Sequence, residues 1–364
     1  MDFSTTEAQR DLAGLTRDLV AKYSTNDVQR QLDSTPDTID RSLWSALAAG
    51  GLLAAAAPES VGGDGFGVLE STSIAVELGR GLAAVPFVVS STAAAAAAEF
   101  GTAQQSADWA APAVAGSSIL TLALEEEQGE DLLDPLTRAE ETATGWTVTG
   151  TKMSVDSATV ADGFVVTTTG GVFLVRADDP GVTITPQHGV DNRSLGLVEL
   201  NSVALEPNRR LGDSDIARWI RARIVLGTCA YQLGVLEESL KVTAEYARER
   251  VQFGKPIGSF QAVAQRLADA YIDVKGARLT LWKAAWVLSA GRQGDDEVAV
   301  AKFWAADAGH RVAHTLVHIH GGVGLDRDHP VHRYFLAAKR AEFAYGGATA
   351  QLGRLGATLA SVPA

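Results

Sequence analysis

The hydrophobic period changes twice along this chain, and that double switch restricts the folds open to it. From Thr5 to about Ala115, apolar residues recur at three- and four-residue spacing, as in Leu12, Leu15, Leu19 and Val20, then Leu43, Leu47, Leu52 and Leu53. That spacing marks amphipathic helices. Near Ser117 it gives way to short segments rich in valine and threonine, at 119–124, 146–149, 163–168, 172–175 and 182–184, separated by glycine or Asp-Pro turns. About seven such strands in roughly 90 residues predict a small β-barrel or sandwich. Helical spacing returns at Ile216 and holds to Leu359, with long runs at 224–248, 261–290, 297–320 and 332–343. The expected fold is therefore an α+β multidomain one. An N-terminal helical domain (1–115) precedes a central β-barrel (116–207) and a C-terminal four-helix bundle (208–364).

Breaks in the first region fall at 34–37, which contains Pro36, and at 58–67, where Gly62, Gly63, Gly65 and Gly67 favour a loop. The alanine-rich stretch 91–100 is too short to span a bilayer, which needs about 20 apolar residues, and it reads as a helix packed closely through small side chains. Acidic residues number 44 against 31 lysines and arginines, a formal charge of −13. Attraction to nucleic acid or an anionic membrane is therefore not expected. The single cysteine, Cys229, cannot form an intramolecular disulfide, and residues 1–10 lack a signal-peptide pattern, so a reducing cytoplasm is the expected compartment. Cys229 reads as a small buried hydrophobe. Trp282, Trp286 and Trp304 read as core or interface packing in the bundle.

Two segments stand out chemically. The first is Arg248-Glu249-Arg250-Val251-Gln252-Phe253-Gly254-Lys255-Pro256-Ile257-Gly258-Ser259-Phe260-Gln261. It ends one long helix, turns at 254–258 and starts another. Arg250 can fork onto a phosphate there and Phe253 can pack on a planar ring; the same residues also suit a charged helix C-terminus and a plain turn. The second is His318-Ile319-His320-Gly321-Gly322-Val323-Gly324-Leu325, whose paired glycines let backbone amides approach an anion. His318 and His320, two residues apart, point to different sides of a helix. His314 and His318 lie one turn apart but without an acid cluster, so no metal site is expected.

The Arg-x-x-Phe-Gly-Lys elbow with Phe260-Gln261, followed by His-Gly-Gly-x-Gly, resembles the acyl-CoA dehydrogenase family. Pro58-Glu59-Ser60-Val61-Gly62-Gly63-Asp64-Gly65 and Gly150-Thr151-Lys152-Met153 extend the resemblance over nearly the whole chain. It implies FAD lying between two subunits. One subunit would hold the flavin ring and acyl thioester, and its neighbour would contact the pyrophosphate and adenosine through Arg250, Gln252, Phe253, Gln261, His318, Gly321 and Gly322. His318 stands where glutamine is commoner.

The resemblance also implies gaps. The family's base glutamate lies either in a Tyr-Glu-Gly-Thr loop, matched here by Tyr345-Gly346-Gly347-Ala348, or on the first long C-terminal helix before an arginine, matched by Ala222-Arg223. The hydroxyl-bearing loop near the flavin is matched by Leu124-Glu125-Glu126-Glu127-Gln128-Gly129-Glu130-Asp131, which reads as an exposed acidic loop, and the tryptophan-bearing strand behind it by Ser154-Val155-Asp156-Ser157. A positioned base contributes about 10²–10⁴ in rate, so a chain lacking it has no catalytic residue of its own. What the resemblance implies is the β subunit of an α2β2 acyl-CoA dehydrogenase linked to steroid side-chain CoA thioesters. A second acyl-CoA dehydrogenase chain would hold the acyl-CoA, and an electron-transfer flavoprotein or similar carrier would accept the electrons. Two alternatives stay open: a homomeric dehydrogenase using Asp156, Glu126 or Glu342 as base, and a flavin-free scaffold.

Overall fold

The computed structural model describes residues 4–35, 37–129 and 131–361. Pro36 of the first break, Glu130 of the acidic stretch and residues 1–3 of the segment read for a signal peptide lie outside them. Along the chain run helices α1 (Glu7–Tyr23), α2 (Asn26–Leu32), α3 (Arg41–Ala49), α4 (Val68–Arg80), α5 (Phe87–Phe100), α6 (Ala103–Gln105) and α7 (Ala111–Val114). Strands β1 (Leu120–Ala123), β2 (Arg138–Thr142), β3 (Gly145–Asp156), β4 (Gly163–Thr168), β5 (Gly171–Arg176), β6 (Val182–His188), β7 (Ser194–Leu205) and β8 (Arg210–Gly212) follow. Then come α8 (Ser214–Glu249), the short strands β9 (Val251–Gln252) and β10 (Lys255–Pro256), α9 (Gln261–Ser289), α10 (Asp295–His320), α11 (Val331–Phe343) and α12 (Ala348–Ser361). The helical, β, helical order matches the double switch in period.

These elements form two compact units. One gathers Thr72–Ala83 with the described parts of Met1–Asn26 and Val225–Ala364; the other gathers Asp27–Ser71 and Ala84–Ile224.

The second unit holds all the strands of the central region, and here the expected barrel is corrected. The strands form two separate four-stranded sheets, β1-β4-β5-β8 and β2-β3-β7-β6. Each sheet ends on strands that pair on one side only, so no ring of hydrogen bonds closes. β1 and β8, four and three residues long, are too short to bridge to the other sheet. The 12-residue strands β3 and β7 instead shift register between Val148 and Gly150 and between Lys152 and Val155, which bends the sheet locally without closing it. The two sheets meet where the Trp146 ring stands edge-on to Phe173 at 5.2 Å and where the Thr121 hydroxyl donates to the Asp156 carbonyl at 2.7 Å. β4 and β5 are buried almost throughout, whereas β7 alternates, as expected when the first sheet is covered on both faces. The alanine-rich stretch supplies part of that cover as α5, with Ala93, Ala94, Ala96 and Ala97 buried.

In the first unit, α8 from Val225 onward and α9 to α12 build the bundle. Gln232 of α8 donates to the carbonyls of Ala305 on α10 and Ala338 on α11, at 3.3 and 3.2 Å. α4 and α8 approach so closely that a Cβ added at Gly234 would fall 1.9 Å from the Val76 carbonyl oxygen. Charged side chains tie the same helices together. Arg17 forks onto Glu77 at 3.0 Å, Arg80 joins Glu77 at 3.0 Å and Glu237 at 2.6 Å, and Arg278 also reaches Glu237. Cys229 is buried and its thiol is pushed up to about 12 by that burial, which leaves it an inert packing residue.

Candidate functional site: a donor-lined elbow

α8 ends at Glu249, and the chain turns back at once through a two-residue hairpin in which Gln252 opposes Lys255 and Val251 opposes Pro256. Both tip residues lie in the left-handed region, Phe253 at φ 52° and Gly254 at φ 78°, the conformation of a type I′ turn. Glycine takes this without cost, whereas phenylalanine does not. Phe253 is also 93% exposed, with only the edge of Phe260 at 6.1 Å. One side chain thus carries backbone strain and solvent exposure together, which is the kind of outlier that marks a ligand clamp.

The other members of the elbow are equally uncommitted. Arg250, Gln261 and His318 are exposed, and among the described residues none has a side-chain hydrogen bond or ion pair; Gln252 donates only to the carbonyl of neighbouring Val251, at 2.8 Å. Gln261 opens α9. His318 sits in the last turn of α10, and Gly321 and Gly322 follow it. Gly321 adopts φ +61°, and a Cβ built on either glycine meets nothing within 4 Å, so the backbone there faces open space. A forked guanidinium, primary amides and glycine backbone amides are donors suited to a pyrophosphate. The donor set and the open space over the glycines fit the adenosine diphosphate portion of FAD.

No side-chain hydrogen bond links any two of these seven residues. What brings the two segments together is a pair of rings: Tyr246, one turn before Arg250, stacks on His320 with centroids 4.3 Å apart and planes at 23°. His320 is buried, and burial lowers its pKa, whereas His318 is exposed, as the two-residue spacing predicts. His314 lies against His310 and Phe335. Among the described residues no group of three or more histidines, cysteines or acids is placed to hold a metal ion.

The matches to the catalytic positions are filled differently. Gly346 has φ +93°, and a Cβ there would meet Gln351 Nε2 at 3.1 Å and Ala350 at 3.2 Å. Gln351, 1% exposed, donates to the carbonyls of Gly346 at 2.8 Å and Tyr345 at 3.4 Å. Lys302, fully buried, donates to the carbonyls of Ala341 and Glu342 at the end of α11. Glu342 itself is taken by Lys339 at 2.6 Å and His310 at 3.2 Å. In the other unit, Ala222 is buried, and Arg223 lies 3.5 Å over the Trp219 ring, its pKa pushed down to about 10 by burial.

The reading of 124–131 as an exposed acidic loop fails at Glu126. Its carboxylate turns inward, accepting from the Thr137 backbone at 2.9 Å, the Thr137 hydroxyl and the Leu136 backbone at 2.5 Å, and pairing with Lys152 Nζ at 2.7 Å. Burial raises Glu126, but Lys152 and Thr137 outweigh it and hold the carboxyl below its usual range. Burial likewise pulls Lys152 down to about 8, so at neutral pH both partners stay charged. Glu127 remains exposed. The sequence places Lys152 within a motif but gives it no partner, and it places His320 in the glycine segment without its stacking partner Tyr246. Tyr246 and Gln351 carry no local signal beyond an aromatic or polar side chain in a helix.

The helical, two-sheet, helical fold with its donor-lined elbow is the architecture that the flavin-dependent acyl-CoA dehydrogenase class shares. Residues 6–117 match the N-terminal domain, and residues 222–360 the C-terminal domain, of acyl-CoA dehydrogenases. Acyl-CoA dehydrogenase FadE27 of Mycobacterium tuberculosis (strain ATCC 25618 / H37Rv) is 52% identical, with both chains fully covered. The ChsE4-ChsE5 complex from the same species has a chain that superposes with TM-score 0.96 at 52% identity, both chains again fully covered. A chain of a variant of the Tcur3481-Tcur3483 steroid ACAD superposes with TM-score 0.93 at 38% identity over 97% of this chain and 98% of that one. The chain belongs to the acyl-CoA dehydrogenase family. Its members are FAD-dependent oxidoreductases acting on CH-CH bonds.

Proposed function

We propose that this chain is the non-catalytic subunit of a heteromeric acyl-CoA dehydrogenase and completes FAD binding for a second chain of the family. The observation that carries the reading is a contrast in commitment. Among the described residues the seven half-site residues make no side-chain hydrogen bond or ion pair beyond that of Gln252 to neighbouring Val251, whereas the places a base would occupy hold Gly346 under Gln351 and buried Ala222. Arg250, Gln252, Gln261 and His318, with the amides of Gly321 and Gly322, would hold the pyrophosphate and adenosine, and Phe253 would cover a ring. FAD supplies the hydride acceptor, and the partner chain would supply the base and the acyl-CoA pocket. Similarity to a chain of the ChsE4-ChsE5 complex supports the two-chain assembly. Similarity to a steroid ACAD supports a steroid CoA thioester as substrate class. The same reading includes an α2β2 assembly, an electron-transfer flavoprotein or similar acceptor, a cytoplasmic location and the three-part division at 115 and 207.

The competing homomeric reading needs a base in this chain. Glu126 and Glu342 are spent on Lys152, and on Lys339 and His310, and Asp156 accepts from the Ser157 hydroxyl at 2.6 Å. The test is to express the chain alone and with a neighbouring acyl-CoA dehydrogenase chain, then measure FAD per polypeptide and assembly mass. One FAD per two chains, in the mixed complex only, is expected. One FAD per chain in an active homomer overturns the reading.

A further inference from the structure

The two halves of the cofactor site lie far apart in sequence and share no side-chain hydrogen bond, yet their usefulness depends on their spacing. Arg250 is fixed to Tyr246 through the backbone, its N–H donating to the Tyr246 carbonyl at 2.8 Å. On the other side, His320 immediately precedes Gly321, where the backbone turns left-handed and α10 ends. The His320 ring is not free to move: its Nδ1 lies 2.9 Å from the Leu316 carbonyl, so that nitrogen carries the proton, and His329 stands at 6.1 Å on another side. The Tyr246–His320 stack therefore joins the last turn of α8 to the last turn of α10 through two rings, each one step from a cofactor donor.

We propose that Tyr246 and His320 are positioning residues: their stack sets the distance between the Arg250 guanidinium and the Gly321 and Gly322 amides, and so pre-organises the half-site for the diphosphate of FAD. The inference rests on the reading above that these donors meet FAD. Neither ring need touch the cofactor. Pre-organised donors lose less freedom on binding, so loosening the stack appears as weaker binding rather than as lost chemistry.

The test uses the mixed complex stripped of flavin and titrated with FAD, following the quenching of flavin fluorescence. Tyr246→Leu removes the stacked ring, and Tyr246→Phe keeps it. Tyr246→Leu is expected to weaken FAD about 2- to 12-fold, the range of an aromatic pair, and Tyr246→Phe to stay within about twofold. Because Tyr246 acts through Arg250, the Tyr246→Leu/Arg250→Ala double variant should lose less than the product of the single losses, a coupling that a general loss of stability does not produce. Unchanged binding in Tyr246→Leu, equal loss in Tyr246→Phe, or fully multiplicative losses would overturn the proposal. If Tyr246→Leu fails to assemble, Tyr246→Met takes its place with the same expected loss; unchanged binding there also overturns it. Failure of the underlying reading looks different: Arg250→Ala alone would then leave FAD binding unchanged.

Discussion

Placing a glutamate at position 346, which the resemblance matches to a base position of the family, is the sharpest perturbation of this structure. Gly346→Glu places a Cβ on a residue at φ +93°, 3.1 Å from Gln351 Nε2 and 3.2 Å from Ala350. Left-handed backbone costs a non-glycine residue about 1–2 kcal/mol. Displacing Gln351 from the Gly346 carbonyl forfeits a further contribution of about 0.5–1.5 kcal/mol. The sum, about 1.5–3.5 kcal/mol, corresponds to a fall of roughly 2–5 °C in Tm for a chain of this length. Gly346→Ala shares the strain without the charge and should lose most of the same stability, and Gly346→Asn, whose side chain tolerates this backbone, should lose least. Thermal unfolding of the three variants tests the order, and an acyl-CoA dehydrogenation assay of the chain alone tests function. No turnover is expected from Gly346→Glu, since on the proposed reading the flavin ring and the acyl-CoA pocket belong to the partner chain. A Gly346→Glu chain as stable as the wild type and active as a homomer would refute both the strain argument and the reading of this chain as a non-catalytic subunit.

Lys152→Met strands the Glu126 carboxylate without its cation and should cost about 3–5 kcal/mol, whereas Lys152→Met/Glu126→Gln, which removes both charges, should recover most of it; urea unfolding compares the two. Glu77, held below its usual value of 4.5 by Arg17 and Arg80 against the upward pull of burial, adds stability that is fully present above pH 4.5 and lost as pH falls through the lowered folded value. Glu77→Gln should therefore flatten the acid limb of a stability–pH profile. Gly234→Ala should destabilise by about 1–3 kcal/mol, because its Cβ would sit 1.9 Å from the Val76 carbonyl oxygen and force α4 from α8; an unchanged Tm would contradict that contact.

Much of this fold was legible because its signals are local. The run 224–248 falls within α8, 261–290 corresponds to α9 and 297–320 to α10, since three- and four-residue spacing is a property of neighbouring residues. The barrel was not legible. Whether β1 and β8 find β2 and β6 depends on strand pairing across long separations, which periodicity does not encode. Glu126 misled for the same reason: its partner Lys152 is 26 residues away on β3, and three successive glutamates read locally as solvent-facing. The elbow was legible as a donor-rich turn, but its type I′ hairpin was hidden because phenylalanine is a poor signal for a left-handed position.

Side chains already committed within the fold are poorly available to a ligand, and the distribution of commitment divides this molecule. The two glutamates weighed as a base, Glu126 and Glu342, are each bound to at least one cation of their own chain. Freeing either would require breaking a partly buried ion pair during turnover, and an ion-paired carboxylate is a weaker proton acceptor than a free one. The elbow carries the opposite imbalance: among the described residues Arg250 has no side-chain hydrogen bond or ion pair, Phe253 is strained and solvent-exposed, and open space lies over Gly321 and Gly322. Those features are unfavourable or idle in the isolated chain, and on the proposed reading each becomes useful once an anionic, ring-bearing molecule fills the elbow. That reading, binding for another chain's chemistry, gives both halves of this imbalance a physical use.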